Sequence, residues 1–98
     1  MKVRISGGQS SKSERMVEFQ LSAHQAKSVN VCGTFNGWRT HASRLTKDAQ
    51  GLWTGWIQLK PGRYEYRFYV DGQWVDDPSA QQTVANPFGS RNAVLEVR

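Results

Sequence analysis

The chain has 98 residues, 38% hydrophobic, 11% aromatic and 21% charged, with a mean hydropathy of −0.64. This is one small domain with a single core, and Cys32, the only cysteine, excludes an internal disulfide and a zinc knuckle. Thirteen Lys+Arg against eight Asp+Glu give +5, but residues 1–15 hold Lys2, Arg4, Lys12 and Arg15 against Glu14, leaving only +2 for the rest. So balanced a remainder speaks against a basic nucleic-acid groove.

No apolar run approaches the roughly 20 residues that span a bilayer, and Met1-Lys2-Val3-Arg4 lacks the apolar stretch of a secretion signal. The expectation is a cytoplasmic monomer with no membrane partner.

Along the chain, Ser6-Gly7-Gly8-Gln9-Ser10-Ser11-Lys12-Ser13 has no apolar period, so residues 1–15 read as a flexible lead-in and 16–98 as the domain. Thereafter the apolar residues alternate with period two, as in half-buried strands. Val17, Phe19 and Leu21 share a face, then Val29 and Val31, with Cys32 a small apolar strand residue. Trp53, Gly55, Ile57 and Leu59 follow, then Tyr64, Tyr66, Phe68 and Val70, and a last strand at about Ala93–Val97. Short strands between turn signals, with no helical period, predict an all-β, immunoglobulin-like antiparallel sandwich.

Asp71-Gly72 is a two-residue hairpin signal, because both central residues of a type I′ turn need positive φ. The resulting register sets Val70 against Gln73, Tyr69 against Trp74, Phe68 against Val75 and Arg67 against Asp76. Directly opposed residues lie on one face. If Tyr66 and Phe68 face the core, Arg67, Tyr69, Trp74 and Asp76 stand outside. A short turn at Pro61-Gly62 would bring Ile57 and Leu59 beside Tyr64 and Tyr66, Trp56 opposite Arg67, and Gly55 beneath Phe68.

His24 and His41 lie 17 residues apart without cysteines nearby, and Asp76 and Asp77, adjacent on a strand, point to opposite faces. No catalytic constellation, metal site or cofactor is expected. Four tryptophans are more telling. Trp53 alternates with core residues, whereas Trp38 follows the turn Phe35-Asn36-Gly37 and Trp74 follows the Asp-Gly tip on the outer face. An exposed indole is an apolar plate with a polar edge, suited to a pyranose ring, and a guanidinium such as Arg67 donates to sugar oxygens. The same residues suit a protein interface, or stacked bases of a single strand. Patterning alone leaves these readings open.

The series Val31-Cys32-Gly33-Thr34-Phe35-Asn36-Gly37-Trp38, Gly51-Leu52-Trp53, Leu59-Lys60-Pro61-Gly62, Tyr64-Glu65-Tyr66-Arg67-Phe68, Val70-Asp71-Gly72-Gln73-Trp74, Asp77-Pro78 and Phe88-Gly89-Ser90-Arg91-Asn92 resembles carbohydrate-binding module family 48. That family includes the glycogen-binding domain of the AMP-activated protein kinase beta subunit and N-terminal domains of isoamylases and branching enzymes. The similarity runs from about Met16 to Val97. It implies an early-set sandwich that binds α-1,4-linked glucan, glycogen or starch, without cleaving it. It implies two stacking tryptophans, Trp38 and Trp74; a donor at Arg67, where the kinase domain has lysine; Phe88 in place of a leucine that enters the bend of the glucan; and polar contacts from Ser90 and Asn92. Trp56 and Tyr69 are auxiliary candidates. The implied partners are an α-glucan and a glucan-processing enzyme or kinase subunit, not nucleic acid. Arg for lysine changes donor geometry, Phe88 is flatter than leucine, and the Ser79–Pro87 loop is one residue longer than in the kinase domain.

Overall fold

Every second residue of the strand at Arg15–Ser22 is apolar, and Val17, Phe19 and Leu21 are buried while Gln20 and Ser22 turn outward. The same alternation organises the molecule. The computed structural model describes the backbone of residues 4–6 and all of 14–98. Its strands are β1 (Arg4–Ser6), β2 (Arg15–Ser22), β3 (Val29–Gly33), β4 (Thr46–Lys47), β5 (Leu52–Leu59), β6 (Gly62–Val70), β7 (Gln73–Val75), β8 (Thr83–Ala85) and β9 (Arg91–Val97). They form two antiparallel sheets, β1-β2-β5-β4 and β3-β6-β9-β8, with β7 added to β6.

The core lies between the sheets, the usual way for two half-apolar layers to leave water. Val17, Phe19, Leu21, Trp53 and Leu59 face Val29, Val31, Tyr66, Phe68, Ala93, Leu95 and Val97, with Leu45 between them. Phe19 packs edge-on against Tyr66 at 5.1 Å and tilted at 34° against Phe35 at 5.5 Å. The Trp53 indole, buried as expected, donates Nε1–H to the Ala23 carbonyl at 2.9 Å. The Tyr66 hydroxyl donates to Asp77 Oδ2 at 2.6 Å, and Asp77 Oδ1 accepts from the Ser79 amide and hydroxyl. Burial first, and Asp77 second, push the Tyr66 phenol well above its ordinary pKa.

The Asp71-Gly72 hairpin has the register read from the sequence: Val70↔Gln73, Tyr69↔Trp74, Phe68↔Val75. Asp71 (φ 48°) and Gly72 (φ 84°) both adopt the left-handed conformation that such a turn demands. Asp71 also accepts hydrogen bonds from the amides of Lys27 and Ser28 at 2.9 and 2.8 Å, tying the tip to the loop before β3.

Two expectations need correction. The chain does not turn back on itself at Pro61-Gly62: β5 lies between β2 and β4, while β6 belongs to the other sheet. A Pro-Gly turn of ordinary type splays two strands rather than pairing them, and both apolar faces are satisfied equally well across the interlayer gap. Gly55 therefore makes room for Leu45, not Phe68; a Cβ there would stand 2.5 Å from Leu45 Cδ2. Within the stretch read as lead-in, β1 pairs with β2 through Arg4↔Glu18, Ile5↔Val17 and Ser6↔Met16. Three residues are too few to show a period. Residues 7–13 of that stretch lie outside the described residues.

Trp53→Ala should lower unfolding stability by about 3–5 kcal/mol, because it removes a large buried ring and its hydrogen bond to the Ala23 carbonyl; urea titration measures it. Cys32 is fully buried, and loss of hydration pushes its thiol up to about 11. Native protein at pH 8 should therefore resist a thiol reagent that labels the unfolded chain at once.

Candidate functional site

The turn after β3 shows how local sequence aims a tryptophan outward. Phe35 points inward, against Phe19 and Tyr64. Asn36 staples the backbone: its Oδ1 accepts from Gly33 N at 3.0 Å, and its Nδ2 donates to Val31 O and Ser43 Oγ, each at 3.0 Å. Gly37 (φ 67°) and Trp38 (φ 61°) are left-handed, and Trp38 N donates to Gly33 O at 2.9 Å. A β-branched or bulky residue rarely tolerates this conformation. Trp38 is held in it by the staple and stands half-buried at the surface.

The second tryptophan is placed by β6. One edge of β6 carries β3 from Tyr66 to Val70. Tyr66 also pairs with Ala93, so β9 runs along the opposite edge over Gly62–Tyr66, and β7 takes up that edge from Phe68. Arg67 sits at the gap where β9 ends and β7 begins. Its outward side chain has Asp76 on one side, with Arg67 Nε to Asp76 Oδ1 at 2.9 Å and Nη2 to the same oxygen at 2.7 Å. Its guanidinium carbon lies 5.9 Å from the ring centroid of Trp74, which is 41% exposed. An arginine has five N–H donors, so this pairing leaves the rest of the fork for a ligand. The rings of Trp38 and Trp74 are 6.3 Å apart and inclined at 65°.

The third wall is the loop between β8 and β9. Asn86 Oδ1 accepts from the amides of Phe88 and Ser90 at 3.0 and 3.1 Å, while its own N donates to Ser90 O. Gly89 is left-handed, φ 78°. This small hydrogen-bonded loop holds Phe88 out at 90% exposure. Asn92, 8% exposed, anchors the loop from below: its Oδ1 accepts from Asn86 Nδ2, and its Nδ2 donates to Glu65 Oε1, both at 3.0 Å. The Asn92 hydrogen bond and then Arg63 hold the Glu65 carboxyl below the ordinary carboxylate range.

Together these elements enclose an open cleft of about 670 Å³ lined by Thr34, Trp38, Glu65, Arg67, Trp74, Asn86, Pro87, Phe88 and Asn92. Trp38, Arg67, Trp74, Phe88 and Asn92, the sequence candidates, meet there. Ser90 does not line the cleft; it closes the loop through its backbone. Tyr69 lies on the same outer face but outside the cleft, edge-on to Trp74 at 5.1 Å and 6.2 Å from His41. Trp56 is displaced altogether. It is exposed, as parity requires, but on the outer face of the other sheet, opposite Glu18, because β5 does not pair with β6. Sequence reading missed Thr34, Glu65, Asn86 and Pro87. Strand parity places Glu65 on the face of Arg67, the one signal that marks it.

A two-sheet sandwich that displays two inclined indoles, an arginine and amide groups in a shallow outer cleft has the build of a carbohydrate-binding module. Residues 16–98 match the family described as the glycogen recognition site of AMP-activated protein kinase, and the chain belongs to that family. It is 33% identical to Protein FLOURY ENDOSPERM 6, chloroplastic, of Oryza sativa subsp. japonica over 94 residues, 96% of this chain and 17% of that protein. It is 36% identical to Protein PTST, chloroplastic, of Arabidopsis thaliana over 81 residues, 80% of this chain and 28% of the relative. To the 5'-AMP-activated protein kinase subunit beta-2 of Homo sapiens it is 33% identical over 72 residues, covering 74% and 25% of the two chains. The chain thus spans less than a third of the length of these curated relatives.

A Cβ added at Gly33 would collide with Glu65 O and stand 2.6 Å from Phe35 Cε2. Gly33→Ala should therefore cost about 1–3 kcal/mol by overpacking and push the 34–38 turn away from β6. A thermal melt and the shift of the Trp38 indole signal check both effects.

Proposed function

We propose that this module binds α-1,4-linked glucan, as in glycogen, starch or malto-oligosaccharides, and does not cleave it. The observation that carries the reading is the inclination of the Trp38 and Trp74 rings, 65° at 6.3 Å, inside one cleft. A pyranose rests its C–H face on an indole. A flat ribbon of sugars cannot lie against two plates so inclined, whereas a chain that curves from one glucose to the next can meet both. Phe88 stands beside them as a third apolar surface, and Arg67 offers the N–H donors that Asp76 leaves free.

Two stacked rings at about 1 kcal/mol each and a few hydrogen bonds at about 1 kcal/mol net give an affinity in the micromolar to millimolar range. The longer relatives favour an additional role in assembly. The beta subunits are named as parts of a kinase, and Trp56, 45% exposed on the far sheet, leaves that face available to a kinase subunit or glucan-processing enzyme while the cleft holds sugar. A cytoplasmic location remains part of this reading, although two relatives carry "chloroplastic" in their names, so the family is not tied to that compartment.

Trp74→Ala should remove most binding of maltoheptaose or β-cyclodextrin in calorimetry while moving the melting temperature little; a large stability loss with intact binding would contradict the assignment. Raising salt from 50 to 500 mM should leave the affinity nearly unchanged, since neutral sugars release no counterions. A steep fall would point to nucleic acid, and no indole shift on adding glucan would favour the assembly role alone.

A further inference from the structure

The lining of the cleft includes one carboxylate, that of Glu65. Glu65 is an acceptor at the floor of a site made of plates and N–H groups, and its two oxygens are both engaged by the protein. Arg63 Nη1 donates to Oε2 at 2.8 Å and Asn92 Nδ2 donates to Oε1 at 3.0 Å. From Asn92 the hydrogen bonds continue without a break. Asn86 Nδ2 donates to Asn92 Oδ1 at 3.0 Å, and Asn86 Oδ1 accepts from the amides of Phe88 and Ser90.

The direction of this chain is dictated by its ends. An amide side chain can face either way, since one end donates and the other accepts. An ionised carboxylate only accepts, so Asn92 must turn its NH2 group to Glu65 and its oxygen to Asn86. Asn86 must then offer its NH2 group to Asn92 and its oxygen to the loop. The loop presents only N–H groups, so both ends demand the same orientation. Reversing Asn92 would set acceptor against acceptor at the carboxylate and donor against donor at Asn86, and reversing Asn86 would set donor against donor at the loop and acceptor against acceptor at Asn92, which is only 8% exposed.

We propose that Glu65 is a positioning residue: by orienting the Asn92 and Asn86 amides, its carboxylate holds the loop that presents Phe88 to the ligand. The step from loop to ligand rests on the glucan reading above; the step from Glu65 to the loop does not. The groups facing the carboxylate are Arg63 and Arg67 on either side along β6, with Asp76 beyond Arg67, Val94 directly across on β9, Glu96 opposite Arg63, and Thr34 from the turn. The Asn92 hydrogen bond and then Arg63 favour the ionised form. Because the folded carboxyl titrates below its ordinary value, both of its oxygens remain acceptors above the usual carboxylate range. As pH falls through the lowered folded value one oxygen gains a proton, and the carbonyl oxygen still accepts from Asn92.

The test compares Glu65→Leu, which has no acceptor, with Glu65→Gln, which keeps one for Asn92 while the exposed Arg63 turns to solvent. Amide exchange at Phe88 and Ser90 should quicken roughly tenfold or more in the Leu variant and stay near wild type in the Gln variant. Maltoheptaose affinity should follow, with a loss of roughly tenfold for Leu and under about twofold for Gln. Unchanged exchange at Phe88 and Ser90 in a folded Leu variant overturns the proposal, as does a Gln variant as impaired as Leu. If the Leu variant does not fold, Glu65→Ala, which likewise has no acceptor, takes its place in the comparison. Should wild type fail to bind maltoheptaose, the glucan reading falls, and amide exchange still decides the role of Glu65.

Discussion

Strand β6 is the constraint on which the rest depends. Its nine residues are paired on both edges over much of their length, and a strand so held has no freedom in which residues point where. One parity sends Tyr66 and Phe68 into the core; the other sends Glu65, Arg67 and Tyr69 to the outer face. Core and cleft are thus two sides of the same alternation. A slip of one residue would bury Arg67 and expose Phe68 together.

The gap along the second edge of β6 turns that face into a site. Were β9 to continue past Ala93 in register, its side chains would cover Arg67. Instead the chain leaves β6 there, and the Asp-Gly hairpin brings β7 in from the other end. The space between holds a guanidinium flanked by Asn92 and Asp76 and roofed by Trp74. Beyond the sheet, two loops held by the same device, an asparagine side chain bonded to local backbone, complete the cleft. The 34–38 turn is held because Asn36 binds the backbone of Gly33 and Val31 before it and the Ser43 hydroxyl beyond it. The 86–90 loop is rigid because Asn86 does the same job, and Asn86 is itself held by a chain of hydrogen bonds ending at Glu65.

The chemistry expected of the cleft follows from what it lacks as much as from what it shows. Its surfaces are aromatic plates and neutral amides; Arg67 is partly neutralised by Asp76 and Glu65 by Arg63. A ligand held here gains from stacking and hydrogen bonds rather than from long-range charge. Such a site suits a neutral polyol with an apolar face.

What the sequence determined by itself is what neighbouring residues decide: the period-two stripes, the Asp71-Gly72 hairpin with its register, and hence the outward facing of Arg67 and Trp74. The resemblance to a known family then directed attention to Trp38, Phe88 and Asn92, and the cleft brings them together with the other two. Tertiary structure alone decided which sheet each strand joins. A stripe on β5 matches a stripe on β6 whether the two lie side by side or face each other, so Trp56 could not be assigned to a face from patterning. β1 and β8 were too short to show a period. Asn86 and Glu65 act through hydrogen bonds between residues 6 and 27 positions apart, and such partners are chosen by the packing of sheets and loops, which no local pattern records.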